Sequence, residues 1–261
     1  MLELKLIKRN GGEEGMSQIC VVTSGKGGAG KSTVTAGLGY ALSRHNGRVL
    51  LIDADAGLRS LDLMLGVSGT TMYDMADIFA GNCDPVRAIY SSPVFKNVFV
   101  LPAPLRLEEM CTPEEMRALC RTLATYYDQV IIDCPAGIGP GFETAVAAAD
   151  RALVVSTPDM VCARDAQILG HLLEEWNLRS HLIINRLRSN KVLDGSMPDV
   201  DEIIDTAGIQ LLGILPEDEE VAVANANARP LPSACNAAVC FENIARRYMG
   251  QLVPLAKLEK M

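Results

Sequence analysis

A glycine-rich segment near the amino terminus has the residue types and spacing to bind phosphate. Between an apolar run and a helical pattern the chain reads Gly25, Lys26, Gly27, Gly28, Ala29, Gly30, Lys31, Ser32 and Thr33. The glycines leave consecutive backbone N–H groups free to point at phosphate oxygens, where side chains would block the approach. The helix predicted from Lys31 onward adds the positive end of its dipole. The segment therefore predicts a P-loop, in which Lys31 reaches the β- and γ-phosphates and the Ser32 hydroxyl binds Mg²⁺.

Lys26 is a second lysine in the same loop. Lys31 already supplies the cation that holds phosphates within one subunit, so Lys26 calls for a separate explanation. It is either a solvated surface lysine or a group that crosses a dimer interface to reach the partner's nucleotide, as an arginine finger acts in trans. We predict the second role, with Lys26 and Lys31 both catalytic and the chain a homodimer when ATP is bound.

Acidic residues follow two further apolar runs. Asp53 and Asp55 come after Leu50-Leu51-Ile52, and Asp133 comes after Val130-Ile131-Ile132. Carboxylates at strand ends near a phosphate loop can hold hydrated Mg²⁺ and orient an attacking water. We predict that Asp53, Asp55 and Asp133 join Ser32 around the metal. The alternative is that Asp53 is only a cap and Asp55 only a turn residue.

Apolar runs alternate with helical patterns after residue 18, which predicts a doubly wound α/β fold with a mostly parallel sheet and helices on both faces. The predicted strands are Ile19–Thr23, Val49–Ile52, Val98–Leu101, Val130–Asp133, Ala152–Ser156, Leu182–Asn185 and Leu211–Ile214. The predicted helices are near 31–44, 113–126, 142–149, 162–176, 199–206 and 238–249. Ligands bind beyond the carboxyl ends of strands in such sheets, where the glycines and aspartates fall.

Composition agrees with this fold and disfavours some partners. Of 261 residues, 49% are hydrophobic and only 5% aromatic, as suits an aliphatic parallel sheet. The net charge of −8 makes nucleic acid an improbable partner. The eight cysteines form no C-x-x-C pair, which indicates reduced cysteines packed as small apolar residues in a cytoplasmic protein. We expect one domain over residues 18–250, preceded by a flexible extension (1–17, with Met16 as a possible natural start) and followed by a short tail (251–261).

These motifs together resemble the deviant Walker A ATPases of the MinD/ParA family, and within it the septum-site-determining MinD branch. Lys26 stands at the family's signature-lysine position, and Gly57-Leu58-Arg59-Ser60-Leu61-Asp62 resembles the MinD version of the first switch. Asp133–Ile138 resembles the second switch. Asn185-Arg186 and Leu215-Pro216-Glu217-Asp218 resemble the segments that hold adenine. The similarity runs from about Gln18 to Pro254.

The resemblance implies a slow, partner-stimulated hydrolysis of ATP with Mg²⁺. Asp55 would position the water, Lys26 would neutralise the partner's phosphates, and Asn185, Arg186, Pro216 and Asp218 would bind the nucleotide base. The family dimerises with ATP, binds the inner membrane surface and recruits the division inhibitor MinC, and in some bacteria MinE stimulates hydrolysis. The implied function is an ATP-dependent switch that places the division site.

The carboxyl-terminal tail departs from the family pattern. The family attaches to membranes through an amphipathic helix rich in Lys, Phe and Leu, whereas residues 255–261 give roughly two helical turns after Pro254. Such a helix is too short to be stable alone in water. Whether the tail contacts the membrane surface therefore stays an open question. A dimer would present two short tails at once, and their combined avidity could compensate for the weakness of one.

Related proteins of two other functional classes carry a similar phosphate-binding loop. A relative that positions another cargo, in DNA partition or flagellar number, is disfavoured by the acidic charge and by the Gly57–Asp62 stretch. A metal-carrying relative needs cysteines that bridge a cluster between subunits, and only Cys134 lies in a switch loop.

Overall fold

The computed structural model describes residues 18–45 and 47–256, without the side chain of Leu107. The extension predicted for residues 1–17 and the last five residues of the predicted tail lie outside this part of the chain. Within it, eight strands form one sheet. They are β1 (Gln18–Thr23), β2 (Val49–Asp53), β3 (Tyr90–Ser91), β4 (Val98–Leu101), β5 (Gln129–Asp133), β6 (Arg151–Ser156), β7 (Arg179–Leu187) and β8 (Leu211–Pro216).

The strand order in the sheet is β3-β4-β2-β5-β1-β6-β7-β8. Every neighbouring pair is parallel except β3 and β4. The order reverses direction around β1, which lies between β5 and β6. Ligands of doubly wound sheets bind at such a switch point, beyond the carboxyl ends of the strands. The glycine-rich loop leaves β1 at this edge of the sheet.

Both faces of the sheet are buried, which explains the continuous apolar runs. Ile19 and Val21 belong to the core on one face, and Cys20 and Val22 belong to the core on the other. Alternate side chains of a strand point to opposite faces, so a strand covered on both sides must be apolar at every position. The predicted fold class is confirmed.

Eleven α-helices occur in the described residues. They are α1 (Lys31–Ser43), α2 (Ser60–Met64), α3 (Met75–Phe79), α4 (Pro85–Ala88), α5 (Pro113–Leu123), α6 (Pro140–Ala147), α7 (Met160–Glu175), α8 (Ser189–Leu193), α9 (Val200–Ala207), α10 (Glu219–Ala226) and α11 (Asn236–Tyr248). Helices α5, α6, α7 and α9 contribute to one core, and α1 and α11 to the other. A short 3₁₀ turn spans Leu107–Glu109.

The seven predicted strands and six predicted helices are all present, with boundaries shifted by a few residues. Strand β3 and helices α2, α3, α4, α8 and α10 were not predicted. Strand β3 has two residues, four of the five missed helices have only four or five, and α10 has eight. Helical periodicity is read over windows of about 11 to 18 residues, so elements this short leave little signal.

The described part of the tail, residues 251–256, has no regular structure. The Arg247 guanidinium holds it against the sheet by donating hydrogen bonds to the carbonyl oxygens of Val253 and Pro254 at 2.8 and 2.7 Å. The same group donates to the carbonyl of Leu212 on β8 at 3.0 Å. Among the described helices, none combines the length and apolar character that crossing a membrane requires.

Candidate nucleotide-binding site

The glycine-rich loop is shaped by two glycines in the left-handed region. Gly28 has φ 83° and Gly30 has φ 91°, conformations that other residues adopt only with strain. Gly30 also packs so closely under Asn185 that a Cβ atom at this position would overlap the Asn185 amide nitrogen. No side chain in the described part of the chain caps the start of α1, so its first backbone N–H groups remain available to an anion.

Lys31 lies inside the loop rather than on the surface. Its side chain is buried, with the residue only 7% exposed, and Nζ donates to Ser24 Oγ at 3.3 Å. Ser24 Oγ in turn donates to the carbonyl oxygen of Lys26 at 2.7 Å. Ser24 is the hydrogen-bond partner of Lys31 among the described residues, so a three-donor ammonium has donors left that phosphate oxygens in the loop would satisfy.

Asp133 sits at the bottom of the site with one unpaired oxygen. Its Oδ1 accepts a hydrogen bond from Thr35 Oγ1 at 3.2 Å, whereas the buried Oδ2 has no hydrogen-bond partner among the described residues. Burial raises the pKa of Asp133, while Ser32 and Lys31 lie close enough to oppose that rise. An unsatisfied carboxylate oxygen beside a serine hydroxyl is a donor set that fits Mg²⁺.

Asp53 is fully buried at the end of β2, next to Asp133 in the sheet register. Its two oxygens accept hydrogen bonds from the backbone N–H groups of Asp55 and Leu61, at 3.0 and 3.3 Å. Burial, together with repulsion from Asp133, raises the pKa of Asp53. These contacts are those of an anchor for the segment that follows β2. A metal role for Asp53 stays a prediction.

Asp55 is placed differently from Asp53, at the partly exposed mouth of the site. Burial raises its pKa, and the positive charge of Lys31 acts in the opposite direction. Asp55 is therefore close enough to Lys31 to feel its charge, while the residue is only partly buried. A water-orienting residue needs this combination of proximity and access.

Lys26 lies on the outer side of the loop, and its side chain is 46% exposed. The ammonium is 3.8 Å from Asp159 Oδ1, beyond the end of β6. A hydrogen bond with the Cys162 side chain raises the pKa of Lys26, and the charges of Asp159 and Asp165 add to this. Thus the two lysines of one loop occupy different environments: Lys31 faces inward and Lys26 faces outward.

A cavity of about 540 Å³ opens beside the start of α1. Four residues predicted to hold the base line it together with Thr33: Asn185, Arg186, Pro216 and Asp218. The Asn185 amide is buried and donates to the carbonyl oxygen of Ala29 at 2.8 Å, so this wall is joined directly to the phosphate loop. The volume falls within the range of roughly 300–1,000 Å³ that small-molecule and cofactor sites occupy.

Three residues of the site were not predicted. Thr35 faces Asp133 because it lies one helical turn after Lys31, and this spacing was a usable signal. Asp159 follows the end of a strand, β6, as Asp53 and Asp133 end theirs. Asn225 on α10 donates to Thr33 Oγ1 at 3.2 Å, and no local pattern marks this contact.

Comparison with known proteins agrees with this geometry. Residues 20–231 match the family model described as the CobQ/CobB/MinD/ParA nucleotide binding domain. The chain belongs to this family. The matched residues include β1 from Cys20 onward, the glycine-rich loop and the cavity wall that contains Asn185 and Pro216. Family membership makes the chain a nucleotide-binding P-loop NTPase.

The similar proteins place the chain more narrowly, among the MinD proteins. The septum site-determining protein MinD of Thermotoga maritima is 40% identical over 246 residues, covering 92% of this chain and 91% of the relative. The MinC:MinD cell division protein complex of Aquifex aeolicus contains a chain with TM-score 0.83 and 34% identity, covering 92% of this chain and 99% of that one. The septum site-determining MinD of Pyrococcus horikoshii, complexed with Mg-ADP, has TM-score 0.81 and 29% identity, covering 89% and 96%. Determination of the septum site is the function of this branch, and the chain belongs to it.

Proposed function

We propose that the protein is an ATP-dependent dimerisation switch that places the division site. In this cycle, ATP binding joins two copies, the dimer recruits a division inhibitor of the MinC type, and slow hydrolysis separates the copies again. The observation that carries the proposal is the division of labour between Lys31, buried inside the phosphate loop, and Lys26, exposed on its outer side. Lys26 contacts Asp159 and Cys162 on the outer side of the loop, a position from which it could reach the nucleotide of a second copy.

Within one subunit, the proposed roles follow from the positions of the side chains. Lys31 and the uncapped N–H groups at the start of α1 hold the phosphates of ATP, and the cavity that contains Asn185 and Pro216 holds the base. Asp55 accepts a hydrogen bond from the water that attacks the γ-phosphate. The bond from the γ-phosphorus to the β–γ bridging oxygen breaks, so that ADP and phosphate are released.

The residues around Asp133 support magnesium as the metal that accompanies ATP. The unpaired Oδ2 of Asp133 and the Ser32 hydroxyl are hard oxygen donors, which Mg²⁺ prefers, directly or through its waters. Bound Mg²⁺ would neutralise charge on the phosphates. Asp53, held by two backbone N–H groups, would support the segment that carries Asp55.

The partners are proposed from the relatives. The Aquifex aeolicus structure holds MinC with MinD, which supports an inhibitor of that type for this chain. A MinE-like activator is proposed as the partner that accelerates hydrolysis. Contact with the inner face of the membrane is proposed as peripheral and dependent on dimerisation, because two copies present two tails.

Light scattering with nucleotide tests the switch. With Mg²⁺-ATP we expect twice the mass of one chain, and with Mg²⁺-ADP the mass of one chain. Lys26→Ala should stay monomeric in both nucleotides and lose phosphate release, while its affinity for ADP stays within threefold of the unchanged protein, because ADP is held by the Lys31 side of the loop.

Lys96→Ala is the matched control, since this lysine lies in the turn that precedes β4 and not in the site. It should dimerise and release phosphate normally. Equal masses with ATP and with ADP in the unchanged protein would contradict the switch. Normal phosphate release by Lys26→Ala would contradict the proposed role of Lys26 in trans.

A further inference from the structure

A second cavity, of about 230 Å³, lies on the far side of the wall that closes the nucleotide cavity. It is bounded by α1, α10 and α11, with Met64 and Phe95 closing one side. The helix α1 supplies Ala36, Gly37 and Ala41, whose small side chains leave the space open. Nothing in the proposed switch uses this cavity.

The walls of the cavity are mostly apolar and rigidly placed. The Tyr40 and Phe95 rings lie against each other with centroids 4.9 Å apart. Phe241 packs directly over Gly37, where a Cβ atom would overlap its ring. Tyr40, Met64 and Leu231 are only partly buried, so they present apolar surface that a ligand could cover.

Size restricts the ligand. Native interiors contain few voids larger than a water molecule. A cavity of roughly 150 Å³ admits benzene, whereas drug-sized ligands occupy about 300 Å³ or more. A cavity of about 230 Å³ therefore fits a molecule of one or two rings, or an aliphatic chain of similar volume.

Two guanidinium groups lie at the opening of the cavity. Arg44 and Arg229 line it, with side chains 53% and 43% exposed. Each also contacts a glutamate, Glu242 at 3.8 Å and Glu220 at 2.9 Å, but neither glutamate lines the cavity. A ligand with an apolar body and one anionic group would meet apolar walls and a guanidinium at the opening.

The two cavities share part of their lining. Thr33, Asn225 and Phe241 contribute to both, and the Asn225 amide donates to Thr33 Oγ1 at 3.2 Å between them. Thr33 follows Ser32 in the phosphate loop. A ligand that shifts Asn225 would consequently shift a residue of the nucleotide site, and by linkage nucleotide would shift the ligand's affinity equally.

We propose that this cavity binds a small amphipathic anion, a one- or two-ring or short aliphatic body with a carboxylate or sulfonate, and that its occupancy changes nucleotide affinity. The coupling rests on the proposed nucleotide site, whereas binding itself requires neither hydrolysis nor dimerisation. The probe is naphthalene-2-sulfonate, titrated calorimetrically into the protein without nucleotide. We expect binding of one molecule per chain.

Filling the cavity should block the probe. Ala238 lines the cavity from α11, so Ala238→Leu should weaken probe binding at least tenfold. Ala226→Leu is the matched control on α10, because Ala226 is exposed and lines neither cavity. It should bind the probe within twofold of the unchanged protein. Ser233→Phe, at the exposed opening, is the second filling variant should Ala238→Leu fail to fold.

Titration at saturating ADP separates the two cavities. We expect the probe still to bind, with an affinity changed at least threefold. Equal probe binding by Ala238→Leu and Ala226→Leu would overturn the proposed site. Complete loss of the probe with ADP, together with full binding by Ala238→Leu, would place it in the nucleotide cavity and overturn the proposal as well. An affinity that ADP leaves unchanged would overturn the coupling.

Discussion

At the scale of single residues, position relative to the loop decides what identical side chains can do. Asp53 and Asp55 are separated by one residue, yet Asp53 is enclosed by backbone N–H groups and Asp55 is half-buried near Lys31. A carboxylate with both oxygens engaged is fixed in place, whereas an accessible one can bind water. The chemistry of hydrolysis therefore belongs to Asp55 in the proposed mechanism.

Asp55→Asn tests that assignment. Loss of the carboxylate should lower phosphate release by about 10²- to 10⁴-fold, the usual contribution of a positioned base. ATP affinity should stay within threefold, because the phosphates are held by the loop. The measurement is phosphate release at saturating Mg²⁺-ATP. Asp194→Asn, at an exposed aspartate after α8, should release phosphate normally, and a normal rate for Asp55→Asn would remove Asp55 from the mechanism.

Gly30→Ala tests the close packing of the loop. Its left-handed backbone disfavours a residue with a Cβ atom by about 1–2 kcal/mol. The new methyl group would also displace Asn185 from the loop. We expect ADP affinity to fall at least tenfold in a fluorescence titration. Gly69→Ala is the control, because Gly69 has φ 80° but no atom near its missing Cβ. If both variants lost ADP affinity equally, the loss would be explained by backbone strain and not by the close contact between Gly30 and Asn185.

At the scale of elements, the segment after β2 is held by Arg59. Its guanidinium donates to Asp62 Oδ2 at 3.1 Å and to Thr71 Oγ1 at 3.0 Å, and lies 3.6 Å from Asp74 Oδ2. The Arg59 side chain is 13% exposed. In the stretch from Gly57 to Asp62 that resembles the MinD branch, Arg59 and Asp62 therefore form a structural clamp that links α2 to the cap of α3.

Arg59→Ala should destabilise the protein by about 2–3 kcal/mol, because it leaves two partly buried carboxylates without their cation. Urea unfolding measures the change. Arg106→Ala is the control: Arg106 makes an ion pair at 3.7 Å with Glu109 but is 71% exposed, so we expect a loss below about 0.5 kcal/mol. Equal losses in the two variants would show that the clamp adds no more stability than a surface pair.

At the scale of the whole molecule, the net charge of −8 disfavours binding to DNA and therefore favours the proposed function over DNA partition. Binding to duplex DNA without sequence preference depends on lysines and arginines that replace counterions along the phosphate backbone. An acidic surface repels that backbone over the length of the screening distance. A function in DNA partition is thus disfavoured by the net charge of the chain as well as by its similarity to MinD proteins.

We expect no binding of a labelled random-sequence duplex with Mg²⁺-ATP at about 50 mM salt, the condition that favours electrostatic association most. Fluorescence anisotropy with and without nucleotide measures it. The matched comparison is the same titration with Mg²⁺-ADP. ATP-dependent binding that weakens steeply as salt rises would revive the partition function.

The sequence by itself determined the parts of this protein that depend on local pattern. Strand β1, the glycine loop and α1 were predicted in order, because apolar runs, glycines and helical spacing are properties of neighbouring residues. The aspartates at the ends of β2 and β5 were predicted to lie close together, because each follows an apolar run and parallel strands bring their carboxyl ends to one edge of the sheet. The long helices were predicted because their periodicity extends over several turns.

Only the tertiary structure decided which of these residues touch. The contact of Asn185 with Ala29, of Asn225 with Thr33, and of Lys26 with Asp159 each joins segments that are far apart in the chain. Such contacts depend on the sheet order and on side-chain packing, neither of which a local pattern contains. For the same reason the sequence predicted a role for Lys26 at a partner's nucleotide without locating its side chain, while the fold decided that this side chain lies on the outer side of the loop, beside Asp159.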